Sequence, residues 1–163
     1  MKIYLASDHA GFELKEKIEL FLQEAGITCE DCGPHLYDPA DDYPALIATA
    51  AKKVSEDIAA GSDSKAVVLG ASGQGEAIVA NKFKHVRAVV YYGEPHVQQK
   101  DMSGKELGMI SSTREHNDAN VLSLGARFLS DEEAEKVVMT WITTAFSNEE
   151  RHARRIRQIE TIS

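Results

Sequence analysis

The chain has 163 residues, 43% of them hydrophobic, and a formal charge of -8 at pH 7. That length favours a single domain over residues 1–163 around one core, and the apolar fraction excludes a disordered chain. The acidic balance argues against a nucleic-acid partner, and no apolar run approaches the roughly 20 residues of a membrane span.

Lys2 to Ser7 reads as a strand that starts without a signal or transit segment, so the expected location is the cytoplasm. Glu13 to Ala25 carries Leu14, Ile18, Phe21 and Leu22 at helical spacing, and Gly26 stops it. Ile27 to Asp31 is the second strand. Cys29 and Cys32 form a lone Cys-x-x-Cys at its end; a redox pair would open a helix, so strand packing is the expected role. Gly33 to Pro44 is a turn-rich loop with acids at 38, 41 and 42, and Leu46 to Ala60 is a helix closed by Gly61. Ala66 to Gly70 is the third strand, followed by a short helix from Glu76 to Asn81. Arg87 to Tyr91 and Val121 to Gly125 are the fourth and fifth strands. Asp131 caps a helix running to Ala145, and Glu149 to Ile162 is a charged last helix. This alternation predicts an α/β fold, a parallel sheet with helices on both faces and ligands at the carboxyl ends of its strands.

Three polar clusters fall at such strand ends. After the third strand comes Gly70-Ala71-Ser72-Gly73-Gln74-Gly75-Glu76, a glycine-rich loop whose backbone N–H groups can line a nest for anions. Gly70 and Gly75 have the separation of a nucleotide-binding loop, but Glu76-Ala77 replaces its Lys-Ser/Thr, and a glutamate repels a triphosphate. What remains is a set of N–H donors with a hydroxyl, Ser72, and a base candidate, Glu76, which suits a developing oxyanion during proton removal. After the first strand lie Asp8 and His9; Asp8 reads either as a helix cap or, with His9, as a contact for a polyhydroxy ligand. Arg127 follows the fifth strand.

Two further segments carry candidates. Arg114 to Asn120 reads as a polar loop before the fifth strand, either solvated or forming a pocket wall with His116 and Asn117. In the last helix Arg151 and Arg155 share a face beside His152, which reads as a solubilising surface or as a grip on one phosphate group.

Asp8-His9-Ala10-Gly11, Asp42-Tyr43-Pro44, Gly70 to Glu76, Ala80-Asn81-Lys82, Glu115-His116-Asn117, Gly125-Ala126-Arg127 and Arg151-His152 occur here in the order of a known family. Over nearly its whole length the chain resembles the RpiB/LacAB sugar-phosphate isomerases, and within them the type B ribose-5-phosphate isomerases. The resemblance implies a three-layer Rossmann-like sandwich with a five-stranded parallel sheet in the order 2-1-3-4-5. It also implies a C-terminal helix reaching toward a partner subunit, in a homodimer with shared active sites or a dimer of dimers. The implied activity is a cofactor-free, metal-free aldose–ketose isomerisation of the pentose phosphate pathway, between D-ribose 5-phosphate and D-ribulose 5-phosphate. By position, Glu76 resembles the base of the glutamate branch; other members place a catalytic cysteine at the position of Gly70. Ser72 matches the assisting hydroxyl, the loop N–H groups from Ala71 to Gly75 (with Gly73 and Gln74 between) the anion hole, Gly70 a substrate contact beside it, and His116 the ring-opening histidine. Asp8, His9, Tyr43 and Asn117 resemble sugar contacts, and Arg127, Arg151, His152 and Arg155 the phosphate clamp. Gln98 to Thr113 looks longer than in most relatives, so a six-carbon sugar (galactose 6-phosphate or allose 6-phosphate) stays open, as does a non-catalytic sugar-phosphate sensor.

Overall fold

In the computed structural model, alternate strand residues feed two cores on opposite sides of one sheet. The structure describes residues 1–102 and 104–162; Ser103, within the long segment before His116, lies outside them. The sheet contains β1 (Lys2–Ser7), β2 (Cys29–Asp31), β3 (Ser64–Gly70), β4 (Ala88–Tyr91) and β7 (Val121–Gly125), all parallel. Ile3 and Leu5 of β1, Val67 and Leu69 of β3, and Leu122 and Leu124 of β7 face one core. Their neighbours Tyr4, Ala6, Ala66, Val68 and Val121 face the other, as a side-chain period of two requires.

Each core is closed by helices whose apolar residues recur at helical spacing. On one side, α1 (Phe12–Glu24) supplies Leu14, Ile18 and Leu22, and α5 (Asp131–Thr143) supplies Ala134, Val137, Val138, Trp141 and Ile142. The short α4 (Met109–Asn117) adds Ile110 to the same side. On the other side lie α2 (Tyr43–Ala59), with Ile47, Ala50, Ala51 and Val54, and α3 (Gln74–Ala80), with Ala80. Full burial of a Leu or Ile here contributes about 1.5–3 kcal/mol. The last helix, α6 (Glu150–Glu160), packs against α4, and His152 is its buried residue. Its far end is clasped at Glu160, which accepts from Arg87 Nη1 at 3.0 Å and pairs with His85 Nδ1 at 2.9 Å.

The five parallel strands and both helical layers match the expected architecture, but the strand order does not. The order is β2-β1-β3-β7-β4, so the fifth strand of the main sheet lies between the third and the fourth. Burial gives the reason. All five residues of β7 are buried, as a central strand demands, whereas Ala88, Val89 and Val90 of β4 are half-buried at the edge.

Two local readings are also corrected, and one small element is added. Arg114 to Asn117, read as a loop, closes α4, because Arg114 is buried rather than solvated. Its guanidinium donates to Asp118 Oδ1 at 2.8 Å and to the Ala119 and Thr144 carbonyls, tying α4 to β7 and α5. The segment before it forms a small antiparallel hairpin, β5 (Gln99–Lys100) with β6 (Glu106–Leu107). The α5 cap is Ser130, not Asp131; Ser130 Oγ accepts from the Glu133 N–H at 3.2 Å.

Cys29 and Cys32 are free, and the strand alternation sends them to opposite sides of the sheet, Cys29 against the first core and Cys32 against the second. Burial raises both thiols, Cys32 to about 11, so neither is poised as a thiolate. No helix among the described residues is long and apolar enough to cross a membrane.

Candidate active site

The carboxyl ends of β1, β3 and β7 converge on one polar cluster. β3 leaves the sheet at Gly70 and turns sharply into α3 through Gly73, whose φ of 75° is left-handed and favours glycine. Space demands glycine as well, since a Cβ on Gly73 would lie 3.0 Å from the backbone of Leu124. The loop is knit to the end of β7: Ser123 Oγ donates to the Gly73 carbonyl at 2.6 Å, and the Ala126 and Arg127 N–H groups donate to Gly70 O (2.8 Å) and Ala71 O (3.2 Å). The N–H groups of Ser72 and Gly73 donate to no group among the described residues, which leaves them for an anion.

Glu76 stands in the first turn of α3 and is only 5% exposed. Its carboxylate lies directly against the Cα of Gly70: a Cβ added to Gly70 would be 2.0 Å from Oε1 and 2.2 Å from Cδ. Burial pushes this carboxyl above the usual range; a backbone hydrogen bond opposes that shift and the Asp8 charge adds to it. Glu76 is therefore a stronger base than a solvated glutamate.

Asp8, His9 and Tyr43 surround the loop. Asp8 is buried, and its Oδ1 accepts from the N–H groups of Ala10 (2.9 Å) and Gly11 (3.0 Å). It thus closes a turn ahead of α1, whose cap position is Gly11. His9 Nδ1 pairs with Asp41 Oδ1 at 2.7 Å. Tyr43 lays its phenol ring on the loop; a Cβ on Gly75 would meet its Cζ at 2.8 Å and its hydroxyl at 3.0 Å. Arg127 is exposed beside them and makes no ion pair among the described residues.

His116, Asn117, Arg151, His152 and Arg155 form a second cluster. The rings of His116 and His152 lie 4.4 Å apart at 41°. His152 is buried, and its Nδ1 is 2.9 Å from Ser147 Oγ. Burial lowers its pKa, as do the neighbouring His116 and Arg151. Arg151 Nε is 2.9 Å from Glu149, while Arg155 is exposed and makes no ion pair among the described residues. Asn117 is exposed, and its carbonyl accepts from Arg87 Nε at 3.0 Å. A cavity of about 330 Å³ lies against His116 and Arg151, walled by Ser147 and by Lys105 and Leu107 of the hairpin.

One chain does not bring the two clusters together. α4 feeds the amino end of β7 at Val121, whereas the glycine loop meets its carboxyl end, where Gly125 pairs with Gly70. Four residue rises separate these ends, about 13 Å of strand. The sequence reading missed Asp41 as the partner of His9, because 32 residues separate them and the acid lay among other loop acids. It also missed Ser147, and the carboxylate of Glu76 filling the space of a side chain at Gly70; no local pattern signals either. As for cations, Glu16, Glu19 and Asp31 are close enough to share one, but Lys15 Nζ already lies 2.6 Å from both Glu16 and Asp31.

The family described as Ribose/Galactose Isomerase matches residues 3–159 of the chain. Ribose-5-phosphate isomerase B of Mycolicibacterium paratuberculosis is 39% identical over 156 residues, which cover 96% of this chain and 87% of that protein. Among solved structures, ribose-5-phosphate isomerase B from Mycoplasma genitalium with bound ribulose-5-phosphate superposes with a TM-score of 0.84 at 31% identity, covering 98% of this chain and 93% of that one. The Clostridium thermocellum ribose-5-phosphate isomerase B gives 0.82 at 34% identity, covering 99% and 97%.

Proposed function

The chain belongs to the ribose/galactose isomerase family, and on that premise we propose that it interconverts D-ribose 5-phosphate and D-ribulose 5-phosphate with Glu76 as the base. The relatives' names and the ribulose-5-phosphate-bound neighbour support the activity. The observation that carries the role of Glu76 is its buried carboxylate, pressed against Gly70 beside unused loop N–H groups. In this reading Glu76 takes the C2 proton of the open aldose, and the electron pair moves through C1=C2 onto the carbonyl oxygen to give a cis-enediolate. The loop N–H groups stabilise that oxygen charge, which must supply most of the effect. The O2 proton passes to O1 with help from the Ser72 hydroxyl, and Glu76 returns its proton to C1. Atoms and charge then balance without a cofactor.

The distance between the two clusters supports a homodimer in which His116, Asn117, Arg151, His152 and Arg155 of one subunit complete the site at Glu76 of the other. His116 would open the sugar ring and the arginines hold the phosphate with Arg127. Residues 1–163 would act as one cytoplasmic catalytic domain. A coupled assay across five- and six-carbon aldose phosphates tests the substrate. Ribose 5-phosphate should give the highest kcat/KM, and a higher value for galactose 6-phosphate or allose 6-phosphate would overturn the assignment.

A further inference from the structure

Asp41 is the one acid of the loop before α2 that turns inward onto the strand ends. Its side chain is 10% exposed, and it binds His9 Nδ1 at 2.7 Å. Its other oxygen, Oδ2, is buried with no hydrogen-bond partner among the described residues. A carboxylate held in this way is costly, and little here offsets the cost apart from His9 and the amino end of α2, which starts two residues later. His9 uses Nδ1 for Asp41 and makes no hydrogen bond through Nε2 among the described residues. The free ring nitrogen belongs to a residue that follows β1, at the end of the sheet that carries Glu76 and Arg127.

We propose that Asp41 is a positioning residue for substrate binding: it fixes the His9 ring through Nδ1 and holds it as an imidazolium, so that Nε2–H is presented as a charged donor to the anionic part of the sugar phosphate. This rests on the isomerase reading and adds to it a residue that does not touch the substrate. Chemistry decides between the two states of the ring. A neutral His9 donating to Asp41 would offer only a lone pair at Nε2, which repels a phosphate oxygen; the imidazolium offers an N–H. The groups that face His9 favour the charged form on balance. The hydrogen bond to Asp41 raises its pKa most, burial opposes this, the charges of Asp8 and Asp41 add to the rise, and Arg127 lowers it. A bound dianion would tip the balance further in the same direction.

The test compares Asp41→Asn, which keeps size and hydrogen bonding but removes the charge, with His9→Asn and the double variant. Asp41→Asn should raise KM for ribose 5-phosphate about tenfold, the loss of one charge-assisted hydrogen bond, with a smaller fall in kcat. The rise of KM with pH should begin at lower pH than in wild type. Because Asp41 acts through His9, the double variant should match His9→Asn within about twofold. An unchanged pH profile in Asp41→Asn, or losses that add in the double variant, would overturn the proposal. The C2–H NMR resonance of His9 should also titrate at lower pH in Asp41→Asn. That readout needs no turnover, so it separates failure of this inference from failure of the isomerase reading, which inactivity of the wild type on every aldose phosphate would show.

Discussion

Gly70→Ala places one methyl group where the Glu76 carboxylate now sits. The new Cβ would lie 2.0 Å from Oε1, 2.2 Å from Cδ and 2.8 Å from Oε2 of Glu76, and these are the three nearest atoms to it. Restoring ordinary contact at about 3.4 Å drives Oε1 away by about 1.4 Å, and a displacement of that order at a reacting group costs about 10²-fold in rate. The obstructing group is the end of a flexible side chain, and Gly70 has no positive φ, so the backbone is not forced to move. The expected result is a kcat reduced about 100-fold, KM within a few-fold of wild type, and a melting temperature close to it. Gly11→Ala is the contrasting control, because its Cβ would lie 2.6 Å from the backbone carbonyl of Leu69 and must part α1 from β3. That variant should lose stability. Steady-state kinetics on ribose 5-phosphate and thermal melts separate the two cases. Adding Gly70→Ala to a Glu76→Gln background should cost nothing more. Full kcat in Gly70→Ala, or a further loss in that background, would refute the reasoning.

Glu76→Gln itself should lower kcat about 10²–10⁴-fold, as loss of a general base does. Its stability should move the other way. A carboxyl whose pKa is raised on folding contributes stability below its unfolded pKa and loses it as pH rises through the folded value, so the glutamine variant should melt higher than wild type at neutral pH and equally at acid pH. Melting curves across that range check the sign. Mixing refolded Glu76→Gln and His116→Asn chains, each inactive alone, should restore about a quarter of wild-type activity, since half of random dimers are mixed and each carries one intact site; no recovery would place the whole site within one chain. Lys15→Met should cost about 3 kcal/mol in urea denaturation, because it removes the buried cation of the Asp31 carboxylate and leaves it only the exposed His35 ring as an ionic partner. Burial pushes Asp31 up, but Lys15 and the Gly33 N–H more than offset it, so the wild type should lose this contribution as pH falls through the lowered folded value. The Lys15→Met variant should show a flatter acid limb.

Much of the fold was legible because burial on two faces leaves periodic marks. The Leu14, Ile18, Leu22 stripe and the β-branched run of β3 each point to one element type. The order of the last two strands was not, because β4 and β7 are both short apolar runs and only packing decides which is central. α4 was missed for a related reason. Most of its residues are polar, and the cation that anchors it, Arg114, looks like surface until its carbonyl partners are in place. At the site, the glycine loop and Glu76 could be read locally, whereas the His9–Asp41 pair depends on a contact across the fold.

The overlap between Gly70 and Glu76 also bears on how such sites diverge. A side chain at residue 70 would stand on the strand end, whereas the Glu76 carboxylate reaches the same place from the following helix. Both groups claim the same few cubic ångströms, since any atom beyond Cα at residue 70 collides with the Glu76 carboxylate. The two solutions are then mutually exclusive occupants rather than graded variants. Residues 70 and 76 are therefore a coupled pair: any side chain at 70 requires the carboxylate at 76 to move aside.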